Sequence, residues 1–174
     1  MQLIELVNVS AAVSRTRSRL KKRALLRDCL RAAAVDEIKL VVDYLSGVLP
    51  QGRIGLGPAI VRKVLKAEAA GTPALPLAKV NAVLDDIAGM SGPGSQKAKE
   101  QALGALFSRA TADERDFLAR LILGELRQGA LEAVLTEAIA DATELDVAAV
   151  RRAVMLTADP ATVAAVAFSG GEPG

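Results

Sequence analysis

Residues 90–131 decide the fold of this chain of 174 residues: MSGPGSQKAKEQALGALFSRATADERDFLARLILGELRQGAL. Apolar residues recur in this stretch at the spacing of an amphipathic helix, which predicts helices over 96–107 and 113–126. Thr111 followed by Glu114 is the pattern of a capping box, in which two side chains satisfy backbone N–H groups at the start of a helix. The stretch is therefore predicted to be a pair of amphipathic helices.

The composition favours helices along the whole chain. Apolar residues, chiefly Ala, Leu and Val, make up 51% of the sequence, and aromatic residues only 2%. Ala and Leu suit close-packed helices, whereas aromatic residues are typical of strands. A chain of this length can bury a substantial core. We therefore expect an all-α fold, built as a single compact multi-helix domain.

The flanking segments carry further helix signals. Residues 1–9 are predicted to form a first helix, and Ser10 is predicted to be the N-cap of a helical segment over 11–33. Towards the C-terminus, Asp146 has the pattern of an N-cap. Asp159 is followed by a proline, which suits the first position of a last short helix.

An internal repeat of about 77 residues places 11–52 on 88–129. Matched glycines, serines and glutamines are not a product of helical periodicity, although two amphipathic Ala/Leu helices also align at a comparable level. The repeat predicts two similar helical halves, about 1–75 and 76–168, related by an approximate two-fold axis. The polar tail 169–174 is predicted to be a linker stub.

The residue inventory excludes several kinds of site. The chain has no histidine and one cysteine, so zinc centres and Ser-His or Cys-His dyads are ruled out. Cys29 lies in an apolar run and is predicted to be a core residue, and the lack of a disulfide framework indicates a reducing compartment. Asp85 and Asp86 are predicted to form the polar face of a helix. We expect no catalytic residue, no metal and no cofactor in this chain, and no membrane segment.

The loop before 96–107 has the features of an anion site. The Gly94-Ser95 backbone leads into a helix that carries Lys97 and Lys99, and a helix N-terminus with free N–H groups suits a phosphate. The G-x-x-x-x-G-K-[ST] spacing of a nucleotide P-loop is absent. A flexible connection between helices is the alternative interpretation.

A second candidate anion site ends the quoted stretch. Arg127 is expected at a helix C-terminus, where a cation also stabilises the helix dipole, and Gly129 permits close approach of a backbone. Arg53 lies at the matching place in the first half, within the glycine-rich loop that contains Gly55 and Gly57. This loop is predicted to enter a helix over 59–69.

A run of cations between residues 15 and 31 is the third basic element. A charge run is often only the solvated face of a helix. Here it coincides in the repeat with the lysine loop, so Arg15, Arg19 and Lys22 are predicted to contact the same polyanion. Because aromatic side chains for base stacking are nearly absent, the backbone of a duplex is a better partner than a single strand.

Three motifs together resemble a known family. They are Gly94-Ser95-Gln96-Lys97-Ala98-Lys99, then Arg109-Ala110-Thr111-x-x-Glu114, then Ile122-x-Gly124-Glu125-Leu126-Arg127-Gln128-Gly129-Ala130. With Tyr44-Leu45-Ser46-Gly47 and Arg53-Ile54-Gly55-Leu56-Gly57, they are similar to the N-terminal DNA-binding domain of ATP-dependent DNA ligases, in particular bacterial ligases of the ligase B type. The resemblance covers about residues 1–168.

The resemblance implies an all-helical domain that lies against the minor groove of nicked duplex DNA and contacts backbone phosphates. By position it assigns DNA contacts to the Gly94-Ser95 backbone, Lys97, Lys99, Arg127 and Gly129, with Arg53, Gly55 and Gly57 as a further element. Arg15, Arg19 and Lys22 rest on the charge pattern alone. The whole ligase would use ATP and Mg²⁺ and act in DNA repair or replication in the bacterial cytosol and nucleoid.

The chain departs from that family in one respect. No lysine is followed by x-Asp-Gly, the motif that supplies the lysine to which AMP is attached in these ligases. The chain is thus predicted to be non-catalytic and monomeric, and to work with adenylation and OB domains of the same ligase. The alternative function is a helical protein-interaction scaffold with a basic docking face.

Overall fold

A computed structural model describes residues 1–126 and 129–170, which form helices, turns and loops. Within these residues the only β-type pairing is an isolated bridge between Gln2 and Pro76. The predicted all-α fold class is confirmed. The helices are α1 Leu3–Arg15, α2 Arg19–Ala32, α3 Ile38–Leu45, α4 Pro58–Val64, α5 Leu77–Gly89, α6 Ser95–Ser108, α7 Ala112–Ile122, α8 Gly129–Thr143, α9 Val147–Thr157 and α10 Pro160–Phe168, with a 3₁₀ turn at Val35–Glu37.

Three helices begin at the predicted caps. The capping box of α7 is present, with the Thr111 hydroxyl accepting from the Glu114 N–H at 3.4 Å and the Glu114 carboxylate accepting from the Thr111 N–H at 2.8 Å. Asp146 and Asp159 each accept a hydrogen bond from the backbone N–H three residues on, at the starts of α9 and α10. These caps are local, so the sequence alone predicts them.

The predicted N-cap at Ser10 is wrong. Helix α1 continues through this residue to Arg15, and the Ser10 carbonyl accepts a hydrogen bond from the Ser14 hydroxyl at 2.9 Å. The N-cap is Ser18, whose hydroxyl accepts from the Lys21 N–H at 3.3 Å at the start of α2. The two alanines after Ser10 are strong helix formers and carry the helix past it.

Two helix ends fall at matching positions of the internal repeat. Helix α3 ends at Leu45 and α7 at Ile122, which are 77 positions apart. Each is followed two residues later by a glycine in the left-handed conformation, Gly47 with φ +71° and Gly124 with φ +73°. Helix α7 therefore ends before the predicted boundary at residue 126, because its chain reverses at a glycine. The repeat in the sequence is thus matched by equivalent helix ends in the structure. The approximate two-fold axis stays a prediction.

The chain divides into two compact units, which do not follow the predicted halves. The terminal unit contains residue 1, residues 8–47 and, among the described residues, 129–170. The central unit contains residues 2–7 and 48–126. The division of the chain into halves at residue 75 remains a prediction about the repeat.

In the terminal unit, helix α8 packs against α2, α9 and α10, and α10 also packs against α3. Helix α10 buries Ala161, Ala164 and Ala167, whose small side chains let neighbouring helices approach closely. The larger core side chains include Leu26, Leu30, Tyr44, Leu135 and Ile139, all fully buried. Cys29 is buried among them, as its apolar sequence context predicted.

In the central unit, α6 packs against α4 and α5. Leu84, Leu103, Phe107 and Leu118 are fully buried in this unit. The first residues of α1 also belong to it, and the Leu3 N–H donates to the Leu75 carbonyl at 2.8 Å. Burial of leucines at helical spacing holds these elements together, and it supplies most of the favourable free energy of folding.

A pair of leucines in the terminal unit tests this description of the core. Leu26→Ala should lower the free energy of unfolding by about 2–5 kcal/mol, because Leu26 is fully buried and its loss leaves a cavity. Leu156→Ala should change it by less than about 0.5 kcal/mol, since Leu156 is 79% exposed. Urea unfolding followed by circular dichroism measures both. Equal losses for the two variants would contradict the assigned burial.

Candidate nucleic-acid interface

The glycine-rich loop before α4 turns its polar groups outward. Ile54 and Leu56 are buried, whereas Arg53 and Gly55 are exposed. Gly55 has φ +74°, a left-handed conformation that glycine adopts without the clash of a Cβ. Gly57 is the N-cap of α4, and a proline follows it at the first helical position. The two apolar anchors hold Arg53 and the loop backbone at the surface.

The loop before α6 has a similar construction. Gly94, with φ +81°, is the N-cap of α6, and Ser95 is the first helical residue. No side chain caps this helix start, and the Ser95 N–H donates to the Gly92 carbonyl at 3.2 Å. The N–H groups of the next two residues, Gln96 and Lys97, suit an outside acceptor. Lys97 is exposed in the first turn. The positive end of the helix dipole and the lysine charge favour an anion in this place.

Lys99 joins the two loops. Its side chain is buried, with 8% of the residue exposed, and its ammonium donates to the Ile54 carbonyl at 2.8 Å. The sequence gives no sign of this burial: Lys99 lies one turn into α6 and points into the central unit towards the other loop. Its assignment as a DNA contact stays a prediction. This hydrogen bond brings Arg53 and Gly55 next to the helix that carries Lys97.

Further polar contacts fasten the glycine-rich loop and the helix that follows it. The Gln51 amide donates to the Asn81 side-chain oxygen at 2.8 Å and to the Asp85 carboxylate at 2.6 Å. Asp85 was predicted only to lie on the polar face of a helix, and it also holds this loop on α5. Lys63 of α4 forms an ion pair with Glu100 of α6 at 2.5 Å. The loop is therefore attached to both neighbouring helices.

Arg115 is a residue that sequence reasoning missed. It is buried at the start of α7 and donates to three backbone carbonyls, those of Phe107, Ala67 and Glu68. These bonds fix the segment after α4 against the turn between α6 and α7. In the sequence Arg115 has the position of an ordinary polar residue in a first helical turn, so no local pattern indicates its role.

The cations of α2 form ion pairs with α8, which the sequence did not predict. The predicted DNA contact Arg19 pairs with Glu137 at 2.8 Å, and Arg23 forms a bidentate pair with Asp141. Arg23 lies one turn after Arg19 on α2, and Asp141 lies one turn after Glu137 on α8. The two pairs therefore follow each other in the same direction on both helices, so α2 and α8 run parallel. Arg31, two turns further along α2, donates to the Asp141 carbonyl at 2.9 Å and forms an ion pair with Glu144 at 3.6 Å.

These pairs change the acid–base properties of α8. The hydrogen bond from Arg19 lowers the pKa of Glu137, and the hydrogen bond from Arg23 lowers the pKa of Asp141. In both cases the cation stabilises the carboxylate form. The charge of Arg19 and Arg23 is thus largely matched within the terminal unit. The part of the basic face of α2 that contains Arg19 and Arg23 is therefore a contact with α8 and not an unpaired cationic surface.

The remaining predicted site residues lie in several places. Arg15, the last residue of α1, is exposed, and Lys22 on α2 is half-buried. Neither takes part in the ion pairs found among the described residues. Gly129 is the first residue of α8. Arg127 lies outside the described residues, as do the last four residues of the predicted linker stub.

The described residues contain neither a metal-binding cluster nor a membrane-spanning helix. Within 1–126 and 129–170, no group of three or more His, Cys, Asp or Glu side chains is placed to hold a metal ion. None of the helices in these ranges has the length and hydrophobicity that crossing a bilayer requires.

The geometry defines an all-α protein whose central unit presents two glycine-containing loops with exposed cations, joined by a buried lysine. Comparison with known proteins adds the family. The sequence profile described as "DNA ligase N terminus" matches residues 58–140. A "Probable DNA ligase" of Anaeromyxobacter sp. (strain Fw109-5) is 52% identical over 100% of this chain. Proteins of the same name from Rhodococcus opacus (strain B4) and Streptomyces griseus are 44% and 45% identical over 98% of the chain.

The chain belongs to the family of N-terminal domains of ATP-dependent DNA ligases, as its motifs predicted. It spans about one third of the length of these curated relatives: 34% of the Anaeromyxobacter and Rhodococcus proteins and 33% of the Streptomyces protein.

The Arg23–Asp141 pair generates a pH-dependent prediction. Because the folded-state pKa of Asp141 lies below its unfolded value, its contribution to stability is present at neutral pH and is lost as the pH falls through the folded pKa. The difference in Tm between the wild-type chain and Asp141→Asn should be largest near pH 7 and should shrink below about pH 4.

The matched control is Asp86→Asn, on an exposed residue of α5 that forms none of the ion pairs seen among the described residues. Its Tm difference should stay small at every pH. Differential scanning calorimetry from pH 3 to pH 8 makes the comparison. A difference for Asp141→Asn that does not change with pH would show that the pair contributes nothing to stability.

Proposed function

We propose that this chain binds duplex DNA through its backbone phosphates, independently of sequence, as the DNA-binding domain of an ATP-dependent DNA ligase. The observation that carries the proposal is the Lys99–Ile54 hydrogen bond, since it joins the two loops that present exposed cations and glycine backbone. Membership of the ligase N-terminal family supports the choice of DNA as the anion.

The chemistry of the two loops suits phosphates and not bases. Phosphate oxygens accept hydrogen bonds from backbone N–H groups, lysine and arginine, which are the groups that Arg53, Lys97 and the uncapped start of α6 offer. Reading of base edges needs side chains placed in a groove, and stacking needs aromatic rings, of which the chain has few. Contacts of this kind make binding independent of sequence. We place them at the minor groove of a nicked duplex, following the family resemblance.

For the whole protein we propose nick sealing with ATP and Mg²⁺, in DNA repair or replication in the bacterial cytosol and nucleoid. The chain contains no Lys-x-Asp-Gly motif, and none of its residues is assigned to the nucleotide or the metal. Its role in that reaction is to hold the duplex for the adenylation and OB domains of the same ligase. The domain acts as a monomer in this proposal.

The alternative function, a helical scaffold with a basic docking face, has less support. Its main feature is the cation run of α2. Ion pairs of Arg19 and Arg23 with α8, and of Arg31 with Glu144 just after α8, already neutralise much of that charge. An acidic partner protein would have to displace carboxylates of this chain to bind there. DNA binding by the loops of the central unit requires no such exchange.

Binding of this chain to a fluorescent nicked duplex and to its intact counterpart tests the proposal. With about six phosphate contacts, a plot of log K against log salt concentration should have a slope near about −5, because each contact releases counterions. Fluorescence anisotropy at several salt concentrations gives this slope. A slope near zero, or binding that excess unlabelled duplex does not compete away, would contradict the phosphate mechanism and favour the scaffold.

Single substitutions test the two loops. Arg53→Gln and Lys97→Gln should each weaken binding to any duplex sequence and reduce the steepness of the salt slope by about 0.9, the value for one phosphate contact. Arg109→Gln is the charge-matched control, because Arg109 is the exposed C-cap of α6, ten residues or about 15 Å of helix beyond Lys99. If Arg109→Gln reduced the slope as much as the other two, the effect would come from net charge and not from these loops.

A further inference from the structure

Leu20 is an exposed leucine in the first turn of α2, and 76% of the residue is open to solvent. Single exposed leucines are common on protein surfaces, so the surroundings of this one decide whether it has a function. Residues 14–22, which contain it, include three arginines and two lysines and no carboxylate. Leu20 is therefore an apolar side chain within a basic segment of the surface.

Most of the charge in this segment is not matched within the terminal unit. Four of the five cations take part in none of the ion pairs among the described residues: the exposed Arg15, Arg17 and Lys21 and the half-buried Lys22. Arg19 is the exception, because its guanidinium donates to Glu137 at 2.8 and 3.3 Å. The surface around Leu20 thus carries positive charge that a polyanion can neutralise.

Hydrogen bonds hold the start of α2 in place. The Thr16 hydroxyl accepts from the Ser18 N–H at 3.2 Å, and the Ser18 hydroxyl accepts from the Lys21 N–H at 3.3 Å. The bonds from Arg19 attach the same turn to α8. Because the segment is already ordered, little conformational entropy is lost when a partner covers Leu20.

The minor groove of a duplex suits one apolar side chain among cations. It is about 6 Å wide, so it admits a single side chain but not a helix. Sugars and base edges line its interior, and the phosphates of the two strands lie along its edges. A leucine inside the groove leaves neighbouring cations next to these phosphates, whereas an apolar protein surface would remove them from water without a counter-charge.

We propose that Leu20 enters the minor groove of the bound duplex and inserts between two base pairs, partly unstacking them. Leucine is one of the apolar side chains that can open a base step in this way. The inference rests on the proposed binding of DNA. It adds to the phosphate contacts a contact of different chemistry, made by the terminal unit, which distorts the duplex without reading its sequence.

A matched pair of leucines supplies the first test. Leu20 and Leu156 are 76% and 79% exposed, and both belong to the terminal unit. Leu20→Ala should weaken binding to a nicked duplex by about fivefold or more, because the apolar contact is lost. The salt slope should stay the same, since leucine neutralises no phosphate. Leu156→Ala should change neither quantity in fluorescence anisotropy, and equal affinities of the two variants would overturn the insertion.

The second test measures unstacking itself. A series of nicked duplexes carries 2-aminopurine at successive positions, and the fluorescence of this base rises when it loses its stacking neighbours. At saturation the wild-type chain should raise the signal several-fold at one or two positions, and Leu20→Ala should not. Leu20→Met should restore the rise, because methionine is also an apolar side chain that can insert. If the wild-type chain raises the signal at no position, the insertion is wrong even when Leu20→Ala binds more weakly.

The two proposals fail in different ways. If the wild-type chain shows no salt-dependent binding, the proposed function itself is wrong. If wild-type binding is steep in salt and Lys97→Gln reduces the slope, while Leu20→Ala binds as tightly as Leu156→Ala, the function stands and only the insertion of Leu20 is wrong. Circular dichroism and Tm of each variant confirm that the chain still folds, so that a loss of binding reports on the interface.

Discussion

The candidate interface of the central unit depends on the hydrogen bond between the Lys99 ammonium and the Ile54 carbonyl. It connects residues 45 positions apart in the sequence, and it attaches a loop with several glycines to a helix of 14 residues. A loop with so much glycine has a large conformational entropy when unattached, which is unfavourable for binding a rigid duplex. A charge-assisted hydrogen bond of about 1.5–3 kcal/mol can hold such a loop in one conformation. The buried Ile54 and Leu56 add apolar contacts on either side of Gly55.

The terminal unit uses its cations for a different purpose. Arginines spaced by four residues on α2 meet carboxylates spaced by four on α8, so that successive turns of two parallel helices pair with each other. These pairs are partly exposed, so water screens them and they contribute less to stability than the buried Leu26, Leu30 and Ile139. Their main effect is to set the register of the two helices and to remove positive charge from the surface.

Local features of this fold can be predicted from the sequence, and long-range ones cannot. The capping box at Thr111 and the caps at Asp146 and Asp159 involve residues three positions apart, and each was predicted correctly. The ion pairs between α2 and α8 join residues 118 positions apart, so the charge pattern that assigns Arg19 to DNA gives no sign of its partner Glu137. The burial of Lys99 was missed for the same reason, since nothing within one helical turn of it indicates Ile54. Ser10 and Ser18 show a subtler limit, because either serine is a good cap and the alanines between them decide which one is used.

Exposure, and not the mere presence of a lysine or arginine, decides which cations of this chain can bind a phosphate. In the quoted stretch the motif contains two lysines two positions apart, and they lie in opposite environments: Lys97 is exposed in the first turn of α6, while Lys99 is buried behind Gly55. A helix turns by about 100° per residue, so positions two apart cannot share a face. Gly55 makes room for the buried ammonium, because a Cβ at this residue would lie 2.8 Å from the Lys99 Nζ. Arg53 and Lys97 are exposed, so their charge can attract a polyanion over a distance, whereas the Lys99 ammonium is buried and bonded to the Ile54 carbonyl.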